Sequence, residues 1–222
     1  NRLPILFLPG DTYANRMPDP VLQQVEHFNN PSITANDAFK PVTRYFDRIT
    51  RPEQIIQSFP IAVQTMLDPA DCGPACIALS QDIQGQTFDY PEEFFKERVH
   101  TIRRPRPDEF QIKEAAEKIK SSKNPIIISG GGVFYSDAME ELSQFAIKHN
   151  IPVTQTVMGY STMKRDHSHY AGQIGGLGGK NTNTLAKETD LAIAVGTKLA
   201  DFTTGSWANF ENENFKLVSI NV

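Results

Sequence analysis

The hydrophobic residues fall into short runs of strand length that alternate with segments of helical spacing. Apolar runs occupy residues 4–10, 75–79, 126–128, 151–157, 191–195 and 217–222. Helical spacing starts near residues 52, 108, 137 and 182. Because parallel strands need crossover connections, this alternation predicts βαβ units. We therefore predict an α/β fold of doubly wound parallel sheets with flanking helices, Rossmann-like in the second half of the chain.

Local signals place the ends of several helices. Pro60 falls inside the first helical segment, where a missing N–H predicts a kink. Asp108 is suited to cap the second helix, and Asp137 with Glu140 three residues later predicts a capping box for the third. These signals predict where each helix begins and ends.

The chain changes character at 90–107, where prolines alternate with Arg103, Arg104 and Arg106. Glycine-rich and aromatic phosphate-binding patterns do not accompany this basic run, so it is interpreted as a solvated connector. The predicted organisation is a first domain at 1–89, a linker at 90–107 and a second domain at 108–222.

Composition and charge argue against nucleic-acid-binding and membrane-spanning classes of protein. Hydrophobic residues make up 39% and the formal net charge is −4, without a basic stripe that would bind nucleic acid. No apolar run approaches the roughly 20 residues that cross a bilayer. The two cysteines, Cys72 and Cys76, are interpreted as buried structural thiols of a cytoplasmic protein. The lack of an initial methionine suggests an excised segment of a longer chain.

Glycines follow three predicted strands, at 129–132, 156–159 and 196–198. Such positions let a ligand approach the backbone, but they also permit a tight turn with nothing bound. The phosphate-loop and dinucleotide patterns are incomplete, because Asn181 and Tyr135 occupy required positions. His167 and His169 lack the further ligands of a zinc site. The residues alone therefore leave the ligand open.

Several longer segments resemble the acetolactate synthase superfamily of thiamine-diphosphate enzymes. In the second half these are PIIISGGG at 125–132, IPVTQTVMGY at 151–160, Asp166-His167, YAGQIGGLG at 170–178, ETDLAIAVGT at 188–197 and 217–222. Upstream they are 6–10, TANDAFKPVT at 34–43, 52–67 and GPACIALSQDIQG at 73–85. The resemblance implies that 1–89 is the C-terminal part of a pyrimidine-binding domain. It also implies that 108–222 is a central domain truncated at its C-terminus.

Within that superfamily, residues 18–26, 71–90 and 201–210 are similar to the hydrolases of inositol catabolism. This similarity implies hydrolysis of a C–C bond in a cyclic 1,2-dione to give 5-deoxy-glucuronate. Thiamine diphosphate would serve as the electron sink, with Mg²⁺ holding its diphosphate. Two alternatives remain open: a 2-keto acid decarboxylase or acetolactate-synthase-like carboligase, and a non-catalytic nucleotide-binding regulatory module.

The resemblance also assigns residues. It implies that the catalytic glutamate precedes this segment and that the magnesium ligands follow it, so the segment alone is inactive. Phe39 would face a substrate channel at a subunit interface, and Lys40, where acetolactate synthases usually carry glutamine, would be a cation for an oxyanion. The alternative places Phe39 in the core and Lys40 in solvent.

Acetolactate synthases bind FAD at the glycine turns of the central domain, but here the match is partial. We expect no FAD and an empty or vestigial nucleotide site, formed by Gly130, Gly131, Gly132, Thr156, Met158, Gly178, Gly196 and Thr197. The expected partners are a small-molecule substrate, the remaining domains of the same chain and a second subunit in at least a dimer.

Overall fold

A computed structural model of the chain describes residues 2–18, 21–22, 27 and 29–222. The chain forms two compact units, Asn1–Arg104 and Pro105–Val222, and each contains one parallel sheet. None of the described helices is long and apolar enough to cross a membrane. The resemblance at 18–26 lies mostly outside the described residues.

The sheet of the first unit is built around one central strand. Its strands are β1 (Leu6–Phe7), β2 (Gly10–Asp11), β3 (Tyr45–Ile49) and the central β4 (Ala75–Ser80). β3 pairs along residues 75–79 of β4, whereas β1 and β2 pair with its beginning and its end, all in parallel. The strand predicted at 4–10 is thus divided in two, and Pro9, which has no N–H to donate, lies between the parts.

The two faces of this sheet are covered differently. Helix α1 (Ile55–Leu67) continues through Pro60 and packs on the face that carries Ile49 and Ile77. A 3₁₀ helix, Ala35–Val42, contacts β3 and β4, and its Phe39 stacks on Phe7 of β1.

The beginning of the predicted linker is structured and packs on the first unit. It contains a 3₁₀ helix, Glu92–Phe95, and Tyr90 contacts Phe88, Phe94 and Phe95 with ring centroids 5.1, 5.9 and 6.1 Å away. The Tyr90 hydroxyl donates to the Pro52 carbonyl at 3.3 Å. These contacts place residues 88–95 with the first unit, which extends to Arg104.

The second unit is a five-stranded parallel sheet in the order β7-β6-β5-β8-β9. Its elements are α2 (Glu109–Ser121), β5 (Pro125–Ser129), α3 (Gly131–Tyr135), α4 (Met139–His149), β6 (Val153–Gln155), β7 (Tyr170–Gln173), α5 (Lys180–Glu188), β8 (Leu191–Val195), α6 (Asp201–Thr204) and β9 (Lys216–Ile220). The chain order reverses between β5 and β8, which are neighbours in the sheet.

Alternating side chains of β5 point to two separate cores. Ile127 packs with residues of α3 and α4 on one face. Ile126 and Ile128 pack with Ala186 of α5 on the other. Because helices cover both faces, the predicted fold of doubly wound parallel sheets with flanking helices is confirmed.

The predicted capping box at Asp137 is wrong. Asp137 has a φ of 54°, in the left-handed region, and helix α4 begins two residues later without a side-chain cap. The cause is the unpredicted helix α3, whose last turn must end first. The amide of Asp137 donates to Phe134 and that of Ala138 to Val133, both at 3.0 Å.

Candidate functional site

Most of the predicted site residues lie in two places: the loops at the carboxyl ends of β5, β6 and β8 in the second unit, and the 3₁₀ helix Ala35–Val42 on the sheet of the first unit. Open parallel sheets bind ligands beyond these ends, above all where the chain order reverses. In the second unit this point lies between β5 and β8. We call the loops after β5, β6 and β8 the central edge, and the 3₁₀ helix Ala35–Val42 with the ends of β2 and β3 the N-terminal edge.

Backbone contacts close the central edge. The Gly130 amide donates to the Val195 carbonyl at 2.8 Å, and the Gly132 amide donates to the Gly196 carbonyl at 2.9 Å. A Cβ added to Gly132 would lie 2.6 Å from the Gly196 Cα, and Gly196 has a φ of +60°. The amides of Gly130 and Gly132, at the start of α3, therefore bind protein carbonyls instead of a phosphate.

The loop after β6 approaches the same turn. A Cβ on Gly131 would lie 2.9 Å from the Met158 carbonyl, and the Thr156 amide donates to Ser129 at 3.0 Å. The Thr156 hydroxyl accepts from the Gly159 amide at 3.0 Å. The Met158 side chain is exposed.

Seven of the eight residues predicted for the nucleotide site thus come together, Thr197 lying against Gly130. Gly178 is instead part of the loop after β7, where its amide donates to Gly175 at 2.8 Å. The close approach of loops is sufficient reason for the glycines of the central edge.

Below these loops lies a buried polar network that the sequence did not reveal. The Thr162 hydroxyl donates to the Gly159 carbonyl at 2.7 Å and lies 2.6 Å from the Ser129 hydroxyl. The side-chain amide of Gln155 donates to the Met163 carbonyl at 2.9 Å. No short motif connects residues from three separate segments, so only the fold brings them together. The network fixes the loop after β6 against β5.

At the N-terminal edge, Phe39 lies on the sheet and Lys40 lies at its surface. The Phe39 ring stacks on Phe7 with centroids 5.5 Å apart. The Lys40 ammonium lies 2.6 Å from Asp37 Oδ1 and 5.2 Å from the Phe46 ring centroid, with 52% of the side chain exposed. The geometry combines a packed Phe39 with an accessible Lys40. Contact of either residue with substrate stays a prediction.

Arg48 of β3 connects the parts of this edge. Its Nε donates to Asp11 Oδ2 at 2.6 Å, and its Nη2 donates to Asp37 Oδ2 at 2.8 Å and to the Thr34 hydroxyl at 2.9 Å. The Asp11 side chain is fully buried and that of Arg48 is 21% exposed. Sequence reasoning missed this network because β3 was not predicted: its residues, YFDRI, neither alternate strictly nor form an apolar run.

The network stabilises the ionised forms of Asp37 and Arg48. Burial acts to raise the pKa of Asp37, but hydrogen bonds from Lys40, the Thr34 amide and Arg48 hold it well below its usual range. Burial acts to lower the pKa of Arg48, yet its bonds to Asp11 and Asp37 raise it above its ordinary value. All the ionised groups of this edge are therefore compensated by close partners.

Neither the two cysteines nor the pair His167 and His169 forms a reactive site in the part of the chain that the structure describes. Cys76 is buried and the Cys72 thiol donates to the Met66 carbonyl at 3.0 Å; both are free, and burial raises the pKa of both thiols. His167 lies 3.0 Å from the Ser143 hydroxyl and His169 lies 3.1 Å from the Asn150 side chain. Among the described residues, no group of three or more His, Cys, Asp or Glu side chains could hold a metal ion.

Comparison with known proteins identifies the class. Residues 112–222, half of the chain, match the family described as thiamine pyrophosphate enzyme, central domain. The chain belongs to this family, as its sequence predicted.

Among the curated proteins, the chain is similar over all of its 222 residues to 3D-(3,5/4)-trihydroxycyclohexane-1,2-dione hydrolases. It is 50% identical to that of Clostridium perfringens strain 13 and 48% identical to that of Bacillus licheniformis. The chain spans 35% of the length of each of these relatives. The predicted resemblance to these hydrolases is confirmed.

Solved structures show the same fold. Benzoylformate decarboxylase from Polynucleobacter necessarius matches with a TM-score of 0.73 and 21% identity, covering 100% of this chain and 39% of that one. A thiamin diphosphate-dependent enzyme from Mycobacterium smegmatis matches with a TM-score of 0.73 and 21% identity, covering 98% and 40%. At this identity the likeness supports the fold alone.

Proposed function

We propose that the chain is a segment of a thiamine-diphosphate-dependent hydrolase that cleaves a C–C bond of trihydroxycyclohexane-1,2-dione to give 5-deoxy-glucuronate. The observation that carries this proposal is the 50% identity to such a hydrolase across all 222 residues. This identity includes the first unit, where the predicted substrate contacts lie, as well as the central domain. It favours this substrate over the 2-keto acid of a decarboxylase or carboligase.

The segment itself does not fit a complete cofactor site. The described residues contain no acidic cluster for Mg²⁺, and the glycine turns of the central edge bind protein carbonyls. Thiamine diphosphate, bound with Mg²⁺ by other parts of the longer protein, would supply the electron sink. The segment contributes the scaffold and, at the N-terminal edge, the Lys40 ammonium that offsets negative charge on a substrate oxygen.

The domain assignment belongs to the same proposal. Residues 1–89 would be part of the pyrimidine-binding domain, 90–107 the linker and 108–222 the central domain. The family match at 112–222 and the division into units after Arg104 support it. The full-length enzyme would be a cytoplasmic homo-oligomer of at least two subunits.

The test is turnover by the full-length protein that contains this chain. We expect 5-deoxy-glucuronate to form from the trihydroxycyclohexanedione only when both thiamine diphosphate and Mg²⁺ are present. Cofactor-dependent activity on a 2-keto acid alone would instead establish a decarboxylase or carboligase and contradict the proposal.

We also propose that the central edge binds no FAD. The closed backbone contacts between the turns at 130–132 and at Gly196 support this. The purified full-length protein should show no absorbance bands of a bound flavin, and its spectrum should gain none after incubation with FAD and removal of the free flavin. Stoichiometric flavin would contradict it.

A further inference from the structure

A chain of charged side chains connects Lys40 to the buried Asp11 of the sheet. Asp37 offers its two carboxylate oxygens to different partners. Oδ1 lies 2.6 Å from the Lys40 ammonium, whereas Oδ2 accepts from Arg48 at 2.8 Å and from the Thr34 amide at 2.6 Å. The carboxylate that holds Lys40 is therefore itself held at its other oxygen.

The Arg48 side chain reaches across β4 to a buried carboxylate on the strand beyond it. It belongs to β3, in register with Ala78 of β4, and its Nε bonds to the fully buried carboxylate of Asp11 in β2. Asp11 is in register with Ser80 of β4, and its own Oδ1 accepts from the Thr12 amide at 2.8 Å. A planar guanidinium can bind two carboxylates in fixed directions, which a lysine ammonium cannot do.

The same residues leave Lys40 only partly constrained at its exposed end. Its ammonium is held between Asp37 and the Phe46 ring, and 52% of the side chain remains accessible. A cation with one fixed partner and an open side has the geometry to accept a second anionic partner without a large rearrangement.

We propose that Arg48 and Asp37 are positioning residues that fix the Lys40 ammonium for the anionic oxygen of the substrate. This inference rests on the role of Lys40 in the proposed function. Arg48 acts only through Asp37 and contacts no substrate. The alternative is a structural brace that stabilises the first unit and has no specific connection to Lys40.

The experiment is a double-mutant cycle in the full-length protein with thiamine diphosphate, Mg²⁺ and the cyclic dione. Arg48→Lys keeps the charge beside Asp11 but loses the fork that reaches Asp37, and Asp37→Asn keeps the size of the side chain but loses its charge. Each should lower kcat about tenfold with KM changed less than threefold, and Lys40→Met should do the same. Circular dichroism and the melting temperature monitor folding of each variant.

The double variants distinguish a positioning role from a structural brace. With Lys40→Met already present, adding Arg48→Lys or Asp37→Asn should lower kcat less than twofold further, because the group that they position is gone. Independent, multiplying losses would show a general structural brace and overturn the inference, as would an unchanged kcat in Arg48→Lys or Lys40→Met.

Failure of the proposed function gives a different result. A wild-type protein that turns over only a 2-keto acid contradicts the hydrolase assignment. The same cycle measured on that acid still decides whether Arg48 and Asp37 act through Lys40.

Discussion

The central edge and the N-terminal edge are held together by different kinds of contact. At the central edge, backbone amides and carbonyls of facing loops bind each other across Gly130, Gly132 and Gly196. At the N-terminal edge, charged side chains meet, with Arg48 between Asp11 and Asp37. The central edge lies where open parallel sheets usually bind ligands, whereas Phe39 and Lys40 lie beside Phe7 and Phe46, both in register with Cys76 near the start of β4.

The difference shows what each edge can do. Backbone contacts between the glycines of the central edge tolerate no added Cβ. A charge network has side chains that can be exchanged one at a time, and it presents the accessible cation of Lys40. Under the proposed function, the central edge would serve as scaffold and the N-terminal edge would contact the substrate.

The largest expected effect is at the central edge. Gly196→Ala combines a φ of +60° with a Cβ only 2.6 Å from Gly132 Cα. Left-handed backbone and overpacking together should reduce the free energy of unfolding by about 4 kcal/mol, measured by urea denaturation of the full-length protein.

Gly85→Ala is the matched control, since nothing lies within 4 Å of its added Cβ. Its effect should stay below about 0.5 kcal/mol. Equal effects for the two substitutions would show that the loops of the central edge separate easily and that the closed description is wrong.

Arg48→Met should have the next largest effect, about 3 kcal/mol of unfolding free energy, because it leaves the carboxylate of Asp11 buried without its partner. Arg51→Met is its control. Arg51 is 70% exposed and pairs with Glu53 at 3.4 Å, so its loss should be hardly measurable. Similar denaturation midpoints for the two variants would contradict the description of a buried network.

Asp190→Ala tests the amino end of the sheet in the second unit, opposite the central edge. Asp190 accepts from the Lys123 amide at 2.8 Å and the Asn124 amide at 3.0 Å, which joins the turn before β5 to β8. Loss of these bonds should cost about 2 kcal/mol in chemical denaturation. Asp71→Ala, whose carboxylate is 70% exposed beside Arg44, should cost much less.

The smallest effect is a dependence on pH. The pKa of Asp37 is depressed below its ordinary 3.8. Its contribution to the free energy of unfolding is therefore complete at neutral pH and is lost as the pH falls. Between pH 7 and pH 4 only about 0.3 kcal/mol should be lost, with a steeper decrease below that range. Asp37→Asn should remove this component of the acid decrease. A variant with the same pH profile as wild type would contradict the compensated carboxylate.

The sequence predicted the buried strands and long helices because their apolar residues repeat at the period of the element. It did not predict β3 and β7, since their residues are half-buried rather than apolar runs. The glycines of the central edge were recognised, but not that they face one another, because this depends on which strands are neighbours.

The N-terminal edge shows the same limit. Resemblance indicated Phe39 and Lys40, whereas Asp11, Asp37 and Arg48 meet only after β4 has brought β2 and β3 together. A charge network between distant segments produces no regular spacing in the sequence, so these three residues could be found only in the structure.

The most direct test of the contrast between the edges compares steady-state kinetics of Lys40→Met and Met158→Ala in the full-length protein. Both side chains are exposed, one at each edge. We expect Lys40→Met to lower kcat about tenfold with an unchanged melting temperature, and Met158→Ala to leave kcat within twofold of wild type. An unchanged kcat for Lys40→Met together with a large loss for Met158→Ala would contradict the proposed contrast between the two edges.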